Sequence, residues 1–224
     1  MSEIDRYLAA ARDALNADGV ARVCSSDPGS EATEDEIEEY EQVLAAASDE
    51  RPIQQFLERH PGMLTAEYGG QCRWIIPQPR LGNQWIPDFA VARLDSTGVV
   101  WTLVELQSPT ASPFNSRGVP GRHLNEAITQ LADWRQWLLR NADYAERPAA
   151  ANGLGMIGLT YQVRGLILVG RQSQRDDTTR EKLAYFMWEH RVAIHSYDWL
   201  AREAAGRLRE IRDFPREAPC DCAS

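Results

Sequence analysis

Residues 85–107 constrain the fold of this chain more than any other stretch, because they predict a hairpin of two short strands. The Asp-Ser-Thr-Gly run at residues 95–98 has the composition of a tight turn between them. Side chains alternate across a strand, so one face of the second strand carries Val99, Trp101, Leu103, Glu105 and Gln107. A carboxylate and an amide at the end of an apolar face are costly to bury unless something binds them.

A second acid, Asp88, follows Pro87 near the start of the first strand. Proline cannot donate a hydrogen bond to a sheet ladder, so it tends to mark the first residues of a strand or a bulge. If the two strands pair, Asp88 is brought near Glu105. Two carboxylates that converge on one point favour a hard divalent cation, and the hairpin therefore predicts a metal site.

These residues resemble a known group of enzymes. Asp88 after a proline, followed by Glu105-x-Gln107, resembles the metal-binding core of the PD-(D/E)XK nuclease superfamily. In the helix that follows, Gln130-x-x-x-Trp134 is similar to the Gln-x-x-x-Tyr element found beside that core. The two residues are four apart, so they lie on the same side of a helix.

More narrowly, the chain resembles the nuclease domain of the Shedu anti-phage defence proteins over roughly residues 50–202. Shorter matches at residues 56–64, 168–171 and 194–200 support the resemblance as an ordered series. It implies a restriction-endonuclease-like core that cuts DNA, in a homo-oligomer, with a variable N-terminal region that senses or regulates.

The resemblance also implies a ligand set. Asp88, Glu105 and the main-chain carbonyl of Leu106 would hold Mg²⁺ or Mn²⁺, and Gln107 and Gln130 would complete the catalytic set. In the superfamily a lysine usually occupies the position of Gln107, where its charge orients the attacking water. Glutamine can hydrogen-bond that water but brings no positive charge.

Two neighbouring segments bear on this site. Residues 108–122 form a Pro/Gly/Ser-rich loop directly after the ligands, where functional loops tend to lie. Arg117 and Arg122 on this loop are predicted to meet DNA phosphates and to replace the missing charge; alternatively, both are solvated surface residues. Some superfamily members add an acid from the first core helix. Glu58 is the candidate, but it falls off the apolar stripe, which favours a solvated side chain.

Hydrophobic periodicity predicts an α/β protein with a mixed β-sheet flanked by helices and a short N-terminal helical extension. We divide it into the extension (residues 1–48), the nuclease-like domain (49–212) and a disordered tail (213–224). The order strand, helix, strand, helix after residue 164 predicts a right-handed parallel unit. The remaining elements expected are helices at residues 3–23, 33–47, 51–60 and 123–141, and an edge strand within residues 71–80.

Composition limits the cellular setting. No apolar run approaches the roughly 20 residues that span a bilayer, and the N-terminus lacks the pattern of a signal peptide. We therefore expect a cytoplasmic protein without membrane contact. The four cysteines are too few and too scattered for a disulfide framework, and Cys220 and Cys222 are interpreted as reduced thiols near the chain end.

Two other functions stay open at this point. The net charge of −9 and the missing lysine favour a catalytically degenerate nuclease-fold module that binds nucleic acid or a protein partner. The acidic helix at residues 33–47 favours an interaction module instead, although such a charge run is usually solvated. Metal-dependent cleavage, salt-sensitive DNA binding without cleavage, or neither activity would separate the three.

Overall fold

The computed structural model describes residues 3–16, 20–24, 27–68, 72–95 and 98–214. Within these residues the helices are α1 (Glu3–Leu15), α2 (Glu34–Ala46), α3 (Arg51–Arg59), α4 (Pro61–Thr65), α5 (Arg122–Glu146), α6 (Asp177–His190) and α7 (Asp198–Asp213). The strands are β1 (Ala21–Cys24), β2 (Cys72–Pro77), β3 (Phe89–Asp95), β4 (Gly98–Leu106), β5 (Arg164–Leu168) and β6 (Val192–His195).

All of these strands lie in one mixed sheet, in the same order as in the chain. The pairs β1–β2, β2–β3 and β3–β4 are antiparallel, whereas the pairs β4–β5 and β5–β6 are parallel. Parallel neighbours need a crossover connection, and α5 and α6 lie in the connections that precede β5 and β6. The predicted hairpin, the parallel pairing of the strands after residue 164 and the mixed sheet flanked by helices are confirmed.

The alternation of side chains along β4 divides the core into two layers. Trp101 and Leu103 point to one face, where they join a cluster that includes residues of α1, α5 and α6. Val104 and Leu106 point to the other face, where the cluster includes residues of α2, α3, α4 and α7. The central strand is thus buried on both sides, and its end holds a fixed position between the two helical layers.

The N-terminal region differs from the sequence prediction. The helix expected at residues 3–23 ends at Leu15, and residues 21–24 form β1, which pairs with β2. The strand within residues 71–80 is therefore not an edge strand; β1 and β6 lie at the ends of the described sheet. A segment of four residues is too short for the alternation of its side chains to identify it as a strand. Its structure is decided by the strand with which it pairs.

The same strand pair corrects the interpretation of two cysteines. Cys24 and Cys72 lie directly opposite each other in the antiparallel register and form a disulfide. Their separation of 48 residues in the chain hides this proximity from sequence analysis. Cys220 and Cys222 lie outside the described residues, as does most of the predicted tail, since α7 continues to Asp213.

Other local predictions agree more closely with the structure. The capping box at the start of α2 is present: the Thr33 amide donates to Glu36 Oε2 over 2.8 Å, and the Glu36 amide donates to Thr33 Oγ1 over 3.2 Å. The helix expected at residues 123–141 begins at Arg122 and continues to Glu146 across a kink at Asn141. None of the described helices combines the length and apolar character needed to cross a membrane.

A buried ion cluster connects the segment before α2 with the sheet and the last helix. Glu31 lies 2.5 Å from a guanidinium nitrogen of Arg73 and 3.6 Å from one of Arg207. All three side chains are buried. Removing one member of such a cluster leaves an uncompensated charge away from water, which costs more than the pair itself contributes.

We therefore expect Glu31→Ala to lower the free energy of unfolding by about 3 to 5 kcal/mol, measured by urea denaturation. Glu38→Ala, at an exposed position of α2, is the matched control and should change it by less than about 0.5 kcal/mol. A similar small effect for both variants would contradict the role of the cluster.

Candidate active site

Asp88 lies immediately before β3 and is attached to the end of β4. Its backbone amide donates to the carbonyl of Val104 over 3.1 Å. Its Oδ2 accepts a hydrogen bond of 2.7 Å from the backbone amide of Leu106. The Asp88 carboxylate is thus fixed against the residue that follows Glu105, as the pairing of the hairpin predicts.

Glu105 and Gln107 lie on the face of β4 that is directed toward α5. Both side chains are buried, with exposed fractions of 6% and 8%. Gln107 Nε2 donates to Glu105 Oε1 over 3.0 Å, and the side chain of Gln130 of α5 lies close enough to Glu105 to lower the pKa of that carboxyl. The oxygen of the Gln130 side-chain amide, Oε1, is buried without a hydrogen-bond partner among the described residues.

These groups line one cleft of about 540 Å³. The predicted site residues on its wall are Asp88, Glu105, Leu106, Gln107, Arg122 and Gln130. Arg117 is not among the lining residues; it lies exposed on the preceding loop, where its backbone amide donates to Asn115 Oδ1. Larger cavities of about 710 and 770 Å³ occur elsewhere, but neither is lined by a buried carboxylate.

Burial dominates the electrostatics of the two acids. It raises the pKa of Asp88 to about 6, although the hydrogen bond from Leu106 acts in the opposite direction. It raises the pKa of Glu105 to about 8, and the negative charge of Asp88 adds to this shift while the bond from Gln107 opposes it. Glu50 raises both pKa values further.

The donor set fits a small divalent cation. No arginine, lysine or histidine within the described ranges forms an ion pair with Asp88 or Glu105. Nor does the described part of the chain hold a cluster of three or more His, Cys, Asp and Glu residues that would cage a metal. Mg²⁺ keeps several waters and binds proteins through one or two carboxylates together with substrate phosphates. Asp88 and Glu105 meet that requirement.

Five residues that line the cleft were not predicted as site residues, and Glu50 and His123 are the most informative of them. Glu50, just before α3, lines the cleft, whereas Glu58 is exposed and accepts a hydrogen bond from Gln78 over 3.0 Å. The acid contributed by the α3 region is therefore at its start. His123 also lines the cleft and lies within 3.0 Å of Gln107. His123 precedes Gln130 by seven residues, which is about two helical turns. This spacing was the signal that both side chains lie on the same side of the helix.

Comparison with known proteins shows which family this arrangement belongs to. The family described as Shedu protein SduA, C-terminal, matches the chain over residues 47–201. The chain belongs to the Shedu family. This match confirms the resemblance seen in the short motifs and spans α3 to the start of α7, which includes every predicted site residue.

Other comparisons of the Shedu chain are less informative. No curated protein matches it. Among solved structures, the restriction endonuclease FokI bound to DNA is similar, with a TM-score of 0.43 and 13% sequence identity. The alignment covers 95% of this chain and 32% of the FokI chain, so the Shedu chain spans about a third of the length of that protein. The family assignment does not depend on this similarity.

The raised pKa values predict how stability depends on pH. Between about pH 4.5 and pH 8 the folded protein holds a proton on Glu105 that the unfolded chain has released. The folded protein likewise holds a proton on Asp88 between about pH 3.8 and pH 6. The free energy of unfolding should therefore fall as pH rises through this window. Without divalent cations we expect a loss on the order of 2 kcal/mol, measured by urea denaturation between about pH 5 and pH 8.

Glu105→Gln removes the titrating group and should flatten the curve, while Asp143→Asn, an exposed change on α5, should keep the wild-type slope. Addition of Mg²⁺ should restore stability at the alkaline end, because a cation favours the ionised pair. A flat wild-type curve would contradict the assignment of buried, uncompensated carboxylates.

Proposed function

We propose that this Shedu chain is a Mg²⁺- or Mn²⁺-dependent endonuclease that cleaves phosphodiester bonds of DNA in anti-phage defence. One observation carries the proposal: two carboxylates without a cationic partner, the buried Glu105 and the partly buried Asp88, line one open cleft at the end of β4. Membership of the Shedu family supports it.

When bound, the metal supplies a Lewis acid for a phosphoryl oxygen and a water of lowered pKa. The residues of the chain provide fixed positions for it. Asp88 is held by the backbone amide of Leu106, and Glu105 is held by the side-chain amide of Gln107. These bonds fix the two carboxylates on the end of β4, so little rearrangement is needed when the cation and the substrate bind.

Charge on the cleft wall makes DNA binding depend on the metal. The lining carries four carboxylates, those of Glu50, Asp88, Glu105 and Glu126, against the two guanidinium groups of Arg51 and Arg122. A phosphate is therefore repelled from the deeper part of the cleft until a cation occupies it. Arg51 and Arg122 are the groups placed to contact the flanking phosphates.

Cleavage of linear and circular DNA with Mg²⁺ or Mn²⁺ tests the proposal. Asp88→Asn and Glu105→Gln keep the shape of each side chain but remove its charge, and each should lower the rate by at least about 100-fold. Asp143→Asn serves as the control with wild-type activity. Unchanged cleavage in both site variants would place the active site elsewhere.

A degenerate module that binds DNA without cutting it is the second candidate function. It is favoured by the glutamine at position 107, which brings no positive charge to the site. Salt-sensitive DNA binding by the wild type, with no cleavage in either metal, would establish it instead.

Arg117 on the loop and Arg122 at the start of α5 should differ in their effect on DNA binding. Arg122 lines the cleft with 74% of its side chain exposed, and its contacts to Glu126 and His123 are long, at 3.5 and 3.4 Å. Arg122→Ala should weaken DNA binding roughly uniformly across sequences and reduce the salt slope by about 1. Arg117→Ala, outside the cleft, should have a smaller effect, as measured by fluorescence anisotropy in a salt titration. Equal effects would show that the whole loop contacts DNA.

A further inference from the structure

Four side chains form a continuous row from the surface to the buried acid. A guanidinium nitrogen of Arg122 lies 3.4 Å from His123 Nε2. The other ring nitrogen, His123 Nδ1, lies 3.0 Å from Gln107 Oε1. Gln107 Nε2 in turn lies 3.0 Å from Glu105 Oε1. The row thus connects the rim of the cleft with one of the two acids.

The two ends of the row determine where its protons lie. A guanidinium group only donates hydrogen bonds, and an ionised carboxylate only accepts them. Arg122 must therefore donate to His123 Nε2, which leaves the single proton of a neutral ring on Nδ1. That proton is donated to Gln107 Oε1, and the amide nitrogen of Gln107 donates to Glu105. The reversed arrangement would set two donors against each other at Arg122.

The direction of the Gln107 amide matters because its two ends have nearly the same shape. If the amide were reversed, its carbonyl oxygen would face the Glu105 carboxylate, and both groups would be acceptors. Gln107 is 8% exposed, so water has little access to compensate. A donor at His123 Nδ1 removes this ambiguity, since only the oxygen of the amide can accept its proton.

We propose that His123 is a positioning residue of the active site, whose Nδ1 proton orients the amide of Gln107 and thereby holds Glu105 in its metal-binding position. Its effect on cleavage rests on the proposed nuclease function, whereas the position of the proton does not. In this arrangement the glutamine at the usual lysine position acts through Glu105, and His123 makes that action possible.

Two amide substitutions separate the roles of the ring nitrogens. The side-chain nitrogen of asparagine is separated from the backbone by as many bonds as the Nδ1 atom of histidine. The side-chain nitrogen of glutamine is separated from it by as many bonds as Nε2. His123→Asn should keep cleavage within about threefold of the wild type. His123→Ala and His123→Gln should lower kcat by roughly 10- to 100-fold, the usual effect of residues that orient metal ligands. His190→Asn, a histidine outside the cleft, should have no effect.

Two further results would be decisive. In a Gln107→Ala background, His123→Ala should cause no additional loss, because a residue that acts through Gln107 has nothing left to orient. Activity retained by His123→Gln but lost by His123→Asn would assign the function to Nε2 and overturn the proposal. So would equal activity in all three His123 variants.

A measurement of the proton itself does not require any cleavage. Long-range ¹H–¹⁵N correlation spectra of the full chain with ¹⁵N-labelled histidine distinguish the two tautomers. At alkaline pH, where carboxyl groups are ionised, His123 should carry its proton on Nδ1; its signals are identified by their absence in His123→Asn. A proton on Nε2 would overturn the proposal even in an active nuclease, and the expected tautomer in an inactive chain would refute only the proposed function.

Discussion

The position of β4 at the centre of the sheet is the constraint on which the site depends. The strand is antiparallel to β3 on one side and parallel to β5 on the other, and both of its faces are buried. Directly beyond its end, the backbone N–H of Gln107 donates to the carbonyl of Leu168 over 2.9 Å, and the backbone carbonyl of Gln107 accepts from the Tyr197 hydroxyl over 2.6 Å. The acids therefore stand on a backbone that cannot shift without breaking the sheet.

The same rigidity allows the protein to keep two charges that oppose folding. Burial of Asp88 and Glu105 favours their neutral forms, and their mutual repulsion adds to that effect. A flexible support would relieve the repulsion by moving one carboxylate toward water. Here the Leu106 backbone amide holds Asp88 in the cleft, and the Gln107 side chain holds Glu105. The stability lost at the site is supplied by apolar packing on the two faces of the sheet, which is the usual relation between functional sites and their scaffolds.

Sequence analysis identified the parts of the site that depend on local periodicity. Alternation along β4 placed Glu105 and Gln107 on one face, and helical spacing placed Gln130 on the same side of α5 as Trp134. The family resemblance, and not the spacing, indicated that this side meets the site. It failed where distant segments decide the outcome. A helical wheel tells which face of α3 is apolar but not which end approaches the sheet, so Glu58 was considered and Glu50 was missed. Likewise, the composition of the loop at residues 108–122 could not distinguish Arg122 at the cleft from Arg117 outside it, and pairing partners alone define β1 and the Cys24–Cys72 disulfide.

The glutamine at position 107 also shows why a single substitution at such a site seldom stands alone. An ammonium group has three equivalent donors, so a lysine needs no neighbour to determine which end faces a carboxylate. An amide has one donating end and one accepting end, and it serves the same carboxylate only in one of two orientations. Replacing lysine by glutamine therefore removes a charge and also creates a need for a second residue that fixes the direction of the amide. In this chain His123 lies where that need can be met, two turns before Gln130 on the same helix.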